Sequence, residues 1–478
     1  MSVDYDLVII GATATARAAA IEAVNLQARV ALVLPQSSSF QLHPQRDLYP
    51  YALAQIAKTK YSRLNQRSSL QEPDSYHWKY AHATIDRLEQ QSSLALLATM
   101  GVDTIVGMGE FCRRPYLAFN IDRRYLRARA YLMATGSVSP DPLIPGLQEV
   151  GYLVVDQLPA AIDRSVPLQW AIIGAEAIGV EFAQTLTRLG CQVTLIVETE
   201  QILPYEDPEI ANLIQAQLEA DGVQIYLETS VSNVSQNHRS KLVTIGSESI
   251  AVDEIFTALP DRPFVEPFNL RGVGVDYDET GICIDKKLRT SHSQIYACGS
   301  VCGNVLGGYR SDGLIKYETK IAVNNALSWH KIKVDYQSYK NIPWAVYMDP
   351  PLSRVGMTIG GAKNSDRRDL IILTQYLKNC PQAVFNNLNS GFCQIIVTTT
   401  GRILGAEIVS QNSPELIQIL ALAIQQKLKI TELINLPGLS LSYNELIYQT
   451  AQEWQTYQRS RRLQQQSWLD RCFHWWRK

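Results

Sequence analysis

The chain has no apolar run approaching the roughly eighteen residues that a membrane-spanning helix needs, so a span is excluded. It has no excess of one charge either. Its 44 Lys and Arg face 46 Asp and Glu, a formal net charge of −2, which leaves no global basic field to draw nucleic acid. Cysteine is scarce and scattered, eight in 478 residues, which fits reduced and mostly buried thiols rather than a disulfide framework. A strand expected from Tyr5 leaves no room for a leader peptide ahead of it, and the chain is read as cytoplasmic. What is present is a globular composition, 46% hydrophobic, over a length that calls for about three domains rather than one core.

A more local shortage is of glycine. The stretch "VIIGATATARAAAIEA" (Val8–Ala23) has the order of a dinucleotide-binding βαβ opening: an apolar β-branched strand, a tight turn, then a helix of small residues. Where G-x-G-x-x-G would stand, it offers Gly11, Thr13 and Ala16. The plan is repeated. "AIIGAEAIGVEFAQTLTRLGCQVTLIV" (Ala171–Val197) aligns without a gap on Val8–Leu34, and its three positions are Gly174, Glu176 and Gly179. Each repeat meets a later segment, "AYLMATGSVSPDPLIPG" (Ala130–Gly146) for the first and "EIFTALPDRPF" (Glu254–Phe264) for the second. Two such units, with continuous apolar strands, predict two parallel sheets covered on both faces.

Together with "SQIYACGSVCG" (Ser293–Gly303), "NIPWAVYMDPPLSRVGMT" (Asn341–Thr358) and "GRILGAEIVS" (Gly401–Ser410), these stretches give the chain a resemblance to a known family. To about Thr450 it resembles the pyridine nucleotide–disulfide oxidoreductases, which include dihydrolipoamide dehydrogenase, mercuric reductase and glutathione reductase. The resemblance implies an α/β chain with two Rossmann-like domains and a C-terminal α/β dimerisation domain. On this reading 1–148 and 271–337 form the FAD-type domain, 149–270 the NAD(P)-type domain and 338–450 the dimerisation domain of a homodimer. It also implies hydride transfer from nicotinamide to FAD, then electron transfer to a cysteine pair.

That chemistry needs a C-x4-C just after the first βαβ unit, because one thiolate attacks and its partner resolves. The corresponding stretch, Ser37–Lys58, contains no cysteine. Anchoring on Pro50 places His43 and Leu48 at the two sulfur positions. The family's H-P-T-x-S-E element aligns with "SLSYNE", so its base becomes Ser440 while its acid remains as Glu445. Disulfide reduction by the family route is not expected. Cys298 and Cys302 are open to two readings, a substitute dithiol beside a helix N-terminus or small core residues. The acidic "PYEDPE" (Pro204–Glu209) reads as a helix start, and no metal site is expected.

For FAD, the resemblance points to Gly11, Thr13, Ala16, Thr135, Gly136, Gly299 and Ser300. Thr13 brings a branched side chain to the pyrophosphate approach, with a hydroxyl able to donate to phosphate. Leu34 replaces the acid that would grip the ribose, and Ser300 replaces an aspartate. Several contacts worth about 1 kcal/mol each are thereby lost, and whether FAD is held stays open. For NADH, Gly174, Gly179 and Glu181 match, but Glu176 turns a carboxylate toward the pyrophosphate and Pro260 replaces a turn glycine. Two like charges about 4 Å apart repel by roughly 4 kcal/mol at an effective dielectric near 20. Glu176 can instead serve as an internal anion for the helix dipole. Val197 takes the ribose-acid position unless the register slips to Glu198, and the absence of a nearby arginine disfavours NADPH. Two functions remain open: electron transfer from NADH through FAD to a non-disulfide acceptor, or a catalytically silent dimeric scaffold or sensor.

The segment 451–478 stands outside the family plan. It carries six Lys or Arg against Glu453 and Asp470, and four of the eight tryptophans. Trp468, Leu469, Cys472, Phe473 and Trp476 fall on one helical face, with Arg471, His474, Arg477 and Lys478 largely opposite. This pattern fits an interfacial helix for an anionic membrane, and equally a helix packed on protein, either its own or a partner.

Overall fold

The computed structural model describes residues 3–35, 48–64, 75–113, 115–158, 167–238, 240–303, 312–328, 341–388, 390–436 and 439–476. For 60–64, 75–77, 312 and 464–476 it describes the backbone alone. The chain divides into two compact units, Met1–Asp335 and Tyr336–Lys478.

The first unit opens with strand β1 (Tyr5–Ile10), helix α1 (Ala14–Asn25) and strand β2 (Val30–Leu34), followed by helices α2 (Leu48–Leu64) and α3 (Ser75–Gln90) and strand β3 (Asp103–Val106). An antiparallel meander of β4 (Gly109–Cys112), β5 (Ala118–Ile121) and β6 (Arg124–Leu126) leads into β7 (Ala128–Met133). The second repeat follows as β8 (Gln169–Ile173), α4 (Ala177–Leu189), β9 (Gln192–Ile196), α5 (Pro208–Asp221) and β10 (Gln224–Tyr226). A second meander, β11 (Val231–Asn237), β12 (Ser240–Ile245) and β13 (Glu248–Val252), precedes β14 (Glu254–Thr257). The chain then returns through β15 (Ile295–Ala297) and α6 (Asp312–Leu327).

Two parallel sheets result, ordered β15-β7-β1-β2-β3 and β10-β9-β8-β14. In each, the repeat's first strand lies between its second strand and the later segment, as the aligned halves predict. The strands are buried on both faces, Val8, Ile9, Val33, Ala171 and Ile172 having no exposure. Helix α1 buries Ala16, Ala19, Ala20 and Ala23, a stripe of small side chains that lets it lie close against α6. Phe182 on α4 meets Trp170, Phe256 and, from α3, Trp78 with ring centroids 5.8, 4.7 and 6.4 Å away. Helices α2 and α3 therefore tie the first repeat's domain to the helix of the second.

The second unit is an antiparallel sheet, with β16 (Trp344–Val346), β17 (Leu352–Gly356), β18 (Leu370–Tyr376), β19 (Phe392–Thr398) and β20 (Ile403–Val409) in the order β16-β17-β20-β19-β18. Helix α7 (Ser413–Gln425) covers it with Leu416, Ile417, Leu420 and Ile424. The final helix, α8 (Asn444–Trp476), runs across the boundary expected at 450 without a break. Thr450 and Ala451 are fully buried and Trp454 nearly so, stacked on Tyr457 with centroids 5.5 Å apart. The start of the supposed tail is thus core, because the helix's apolar stripe continues past the end of the family resemblance. Among the described residues no helix is long and apolar enough to cross a membrane, and no group of three His, Cys, Asp or Glu is placed to hold a metal ion.

Candidate dinucleotide sites

Three turns meet at the carboxyl ends of neighbouring strands β1, β7 and β15. Gly11 follows β1, and an added Cβ there would lie 2.1 Å from the Ala134 carbonyl oxygen, so only glycine lets the backbones approach. Gly136 and Gly299 sit at φ +77° and +79°, the left-handed region that favours glycine. A Cβ on Gly136 would come 2.8 Å from Thr13 Cγ2, and one on Gly299 3.2 Å from Thr15 Cγ2. Gly11, Thr13, Gly136 and Gly299 are therefore brought together as the resemblance implied.

Thr13 departs from its expected role. Its hydroxyl donates to the Ala134 carbonyl at 2.8 Å rather than standing ready for a phosphate, and it accepts the Ala16 N–H at 3.2 Å as the N-cap of α1. The side chain is folded back into its own turn. The first-turn N–H groups of Ala14 and Thr15 have no carbonyl within the helix to bond, and Ala14 is exposed, so an anion still has donors there. Thr135 is also spent on structure. It is fully buried, and its hydroxyl donates to the Phe264 carbonyl at 2.7 Å, clamping the β7 turn to the segment returning from the second domain. Ser300 is half-buried. Leu34, in the ribose-acid position, is 6% exposed and supplies no grip. The cradle fits a dinucleotide at its turns and not at the ribose.

One buried carboxylate escaped the sequence reading. Glu318 on α6 has no exposure, and its Oε2 accepts the Gly299 N–H at 3.1 Å, fixing the turn that carries Ser300. Its spacing was the available signal, since it stands four residues from both Leu314 and Ala322 on the buried face of α6.

Cys298 and Cys302 prove to be core residues. They lie in the turn after β15. Cys298 is fully buried with Sγ 4.0 Å from Thr319 Oγ1, and Cys302 is 2% exposed among Val8, Ile10, Ile282 and Val301. Their burial matches the reading of them as small core residues. His43 falls outside the described residues. Leu48 is the first residue of α2, and beside it buried Tyr49 meets His82 Nδ1 at 3.2 Å.

The second site keeps its backbone corner. A Cβ on Gly174 would lie 2.4 Å from the Ala258 carbonyl oxygen, and one on Gly179 2.7 Å from Ala258 Cβ, so both glycines are required by packing. Glu176 is the N-cap of α4 but makes no capping hydrogen bond through its side chain, leaving its charge beside the dipole without closing on the helix. Glu181 is half-buried. Val197 is 1% exposed, and Glu198 is exposed beyond the strand end. In the second unit, Glu445 Oε1 accepts from Gln449 Nε2 at 3.3 Å, while Oε2 is buried with no partner among the described residues.

These features define a two-dinucleotide-domain protein with an attached α/β domain, and comparison with known proteins narrows the class. The profile described as pyridine nucleotide-disulphide oxidoreductase matches residues 5–326, and that family's dimerisation domain matches 342–451. The chain belongs to this family. It is 28% identical over 451 residues to a mercuric reductase of Staphylococcus aureus, covering 90% of this chain and 79% of that one. It is 31% identical over 355 residues to the probable pyridine nucleotide-disulfide oxidoreductase RclA of Escherichia coli (strain K12), covering 72% and 78%. Among solved structures, a Cu(II) complex of the HOCl-induced flavoprotein disulfide reductase RclA from Escherichia coli superimposes with a TM-score of 0.81 at 25% identity, over 95% of this chain and 99% of that one. LpdA from Mycobacterium tuberculosis, at 20% identity and a TM-score of 0.79, shares the fold.

Proposed function

We propose that this chain is a homodimeric flavoprotein that has left disulfide chemistry and passes electrons from NADH through FAD to a non-disulfide acceptor. The observation that carries this reading is the three-glycine cradle in a chain whose first cysteine is Cys112, so that Ser37–Lys58 holds none. Gly11, the Ala14 and Thr15 N–H groups, Gly136, Gly299 and Ser300 would hold the flavin dinucleotide. When bound, FAD supplies the ability to accept a hydride and release its electrons to a second partner. Thr13 shapes the cradle, and Glu318 holds its third turn. Gly174, Gly179 and Glu198 would receive NADH against the opposing charge of Glu176.

Glu176 favours a second reading, a silent dimeric scaffold or sensor, because it puts an anion where a pyrophosphate must go. The visible spectrum of protein purified after expression with riboflavin, followed by anaerobic addition of NADH, separates the two. A stoichiometric flavin band bleached by NADH supports electron transfer. A colourless protein that also ignores added FAD removes it, and a flavin that NADH does not reduce leaves the scaffold. Thr13→Gly and Ser300→Asp should each tighten FAD, and lipoamide or glutathione disulfide should not be reduced.

A further inference from the structure

We propose that the end of α8 is an interfacial helix that seats the protein on an anionic lipid surface. Among the residues whose side chains are described, Trp454 and Tyr457 are the last of α8 in the apolar cluster of the second unit. Arg459, Ser460, Arg461, Arg462 and Leu463 are all exposed, Leu463 by 65%. A polar stretch, "QRSRRLQQQS" (Gln458–Ser467), therefore separates the docked part of the helix from "WLDRCFHWW" (Trp468–Trp476). At 1.5 Å per residue, Trp468 lies about 21 Å along the helix axis from Trp454.

The helix is continuous to Trp476, which fixes the angular positions of its residues. At 100° per residue, Trp468, Leu469, Cys472, Phe473, Trp475 and Trp476 span an arc of roughly 160°, and Asp470, Arg471 and His474 fall outside it. An aromatic arc flanked by arginines at both ends is the composition of a helix lying in the headgroup region, where tryptophan rests at the boundary and arginine meets lipid phosphate. The charge agrees: six cations against two anions from 451 onward, in a chain whose overall charge is −2. The positive charge is collected where the apolar arc is, which a helix covering a neutral protein groove would not require. The family's dimerisation profile matches 342–451, short of this segment.

The test uses the full-length dimer and vesicles of phosphatidylcholine with or without phosphatidylglycerol. Cosedimentation should rise at least tenfold with the anionic lipid and fall as salt screens the arginines. Replacing Arg459, Arg461 and Arg462 together with Gln, all exposed and harmless to the core, should weaken partition by roughly a hundredfold, at about fivefold per charge. Trp476→Glu should weaken it even at low salt, and truncation after Gln458 should abolish it while sedimentation still shows a dimer. The proposal fails if the full-length protein ignores anionic vesicles, or if the truncated chain binds them as well. It fails equally if truncation yields monomers, since the helix end then packs on the partner subunit.

Discussion

In the first repeat the middle of the dinucleotide turn is held by Thr13, whose hydroxyl closes on the Ala134 carbonyl and caps α1; in the second it is held by Glu176, whose carboxylate caps nothing. The turn's opening glycine is the same in both. Gly11 and Gly174 each face a carbonyl oxygen of the neighbouring strand, Ala134 and Ala258, across a gap that admits no Cβ. The comparison separates two demands usually met together. The opening glycine serves the sheet corner, which must be made whatever sits on it, while the middle position serves the ligand and is free to change when the ligand's demand changes. Thr13 turned inward leaves the helix donors open. Glu176 supplies its own anion.

Arg188 and Asp221 form a buried pair in the second repeat, 3.0 Å apart with side chains 5% and 2% exposed, and Gln184 and Gln217 also donate to Asp221. Asp221→Ala should cost about 3–5 kcal/mol in urea denaturation, because a buried guanidinium loses its counter-charge. Gly11→Ala and Gly174→Ala should each cost about 3 kcal/mol, and by similar amounts, if both corners are fold requirements. A Gly11→Ala variant as stable as the parent would show that the first turn has room the geometry denies.

Alkali distinguishes the two sheets. Tyr131 on β7 pairs with Val8, and the equivalent residue on β14 is Ile255, opposite Ala171. Burial pushes the Tyr131 hydroxyl up to about 12. The unfolded chain then loses that proton near pH 10 while the folded one keeps it, so stability is complete below pH 10 and falls between about 10 and 12, by about 2–3 kcal/mol. Tyr131→Phe should flatten that part of the pH–stability curve, and an unchanged curve would remove Tyr131 as its source. Glu176→Gly should raise NADH affinity tenfold to a hundredfold in a fluorescence titration, by removing the charge that opposes the pyrophosphate. The smallest change is Thr13→Ala, about 1 kcal/mol from the lost cap, read by thermal unfolding.

The repeated strand–turn–helix was legible because each piece is local: an apolar strand, a glycine that permits the corner and a helix of small residues lie within one stretch of chain. The lack of cysteine in Ser37–Lys58 was legible for the same reason. The fate of each polar side chain in the turns was not. Thr13 and Ala134 are 121 residues apart, Thr135 and Phe264 129, and only the assembled sheets bring their oxygens within hydrogen-bond reach. Cys298 and Cys302 read as a motif in the sequence, and β15 packed against β7 makes them core.

Sequence by itself therefore determined the two-Rossmann plan, the lack of cysteine in Ser37–Lys58 and the carboxylate at Glu176, all of them properties of adjacent residues. Tertiary structure alone decided that Thr13 and Thr135 brace the first cradle, that Glu318 is buried against Gly299, and that α8 continues from the core without a break at 450. The physical reason is that a hydrogen bond or a buried charge is settled by what lies opposite, and what lies opposite is set by packing between segments far apart in the chain.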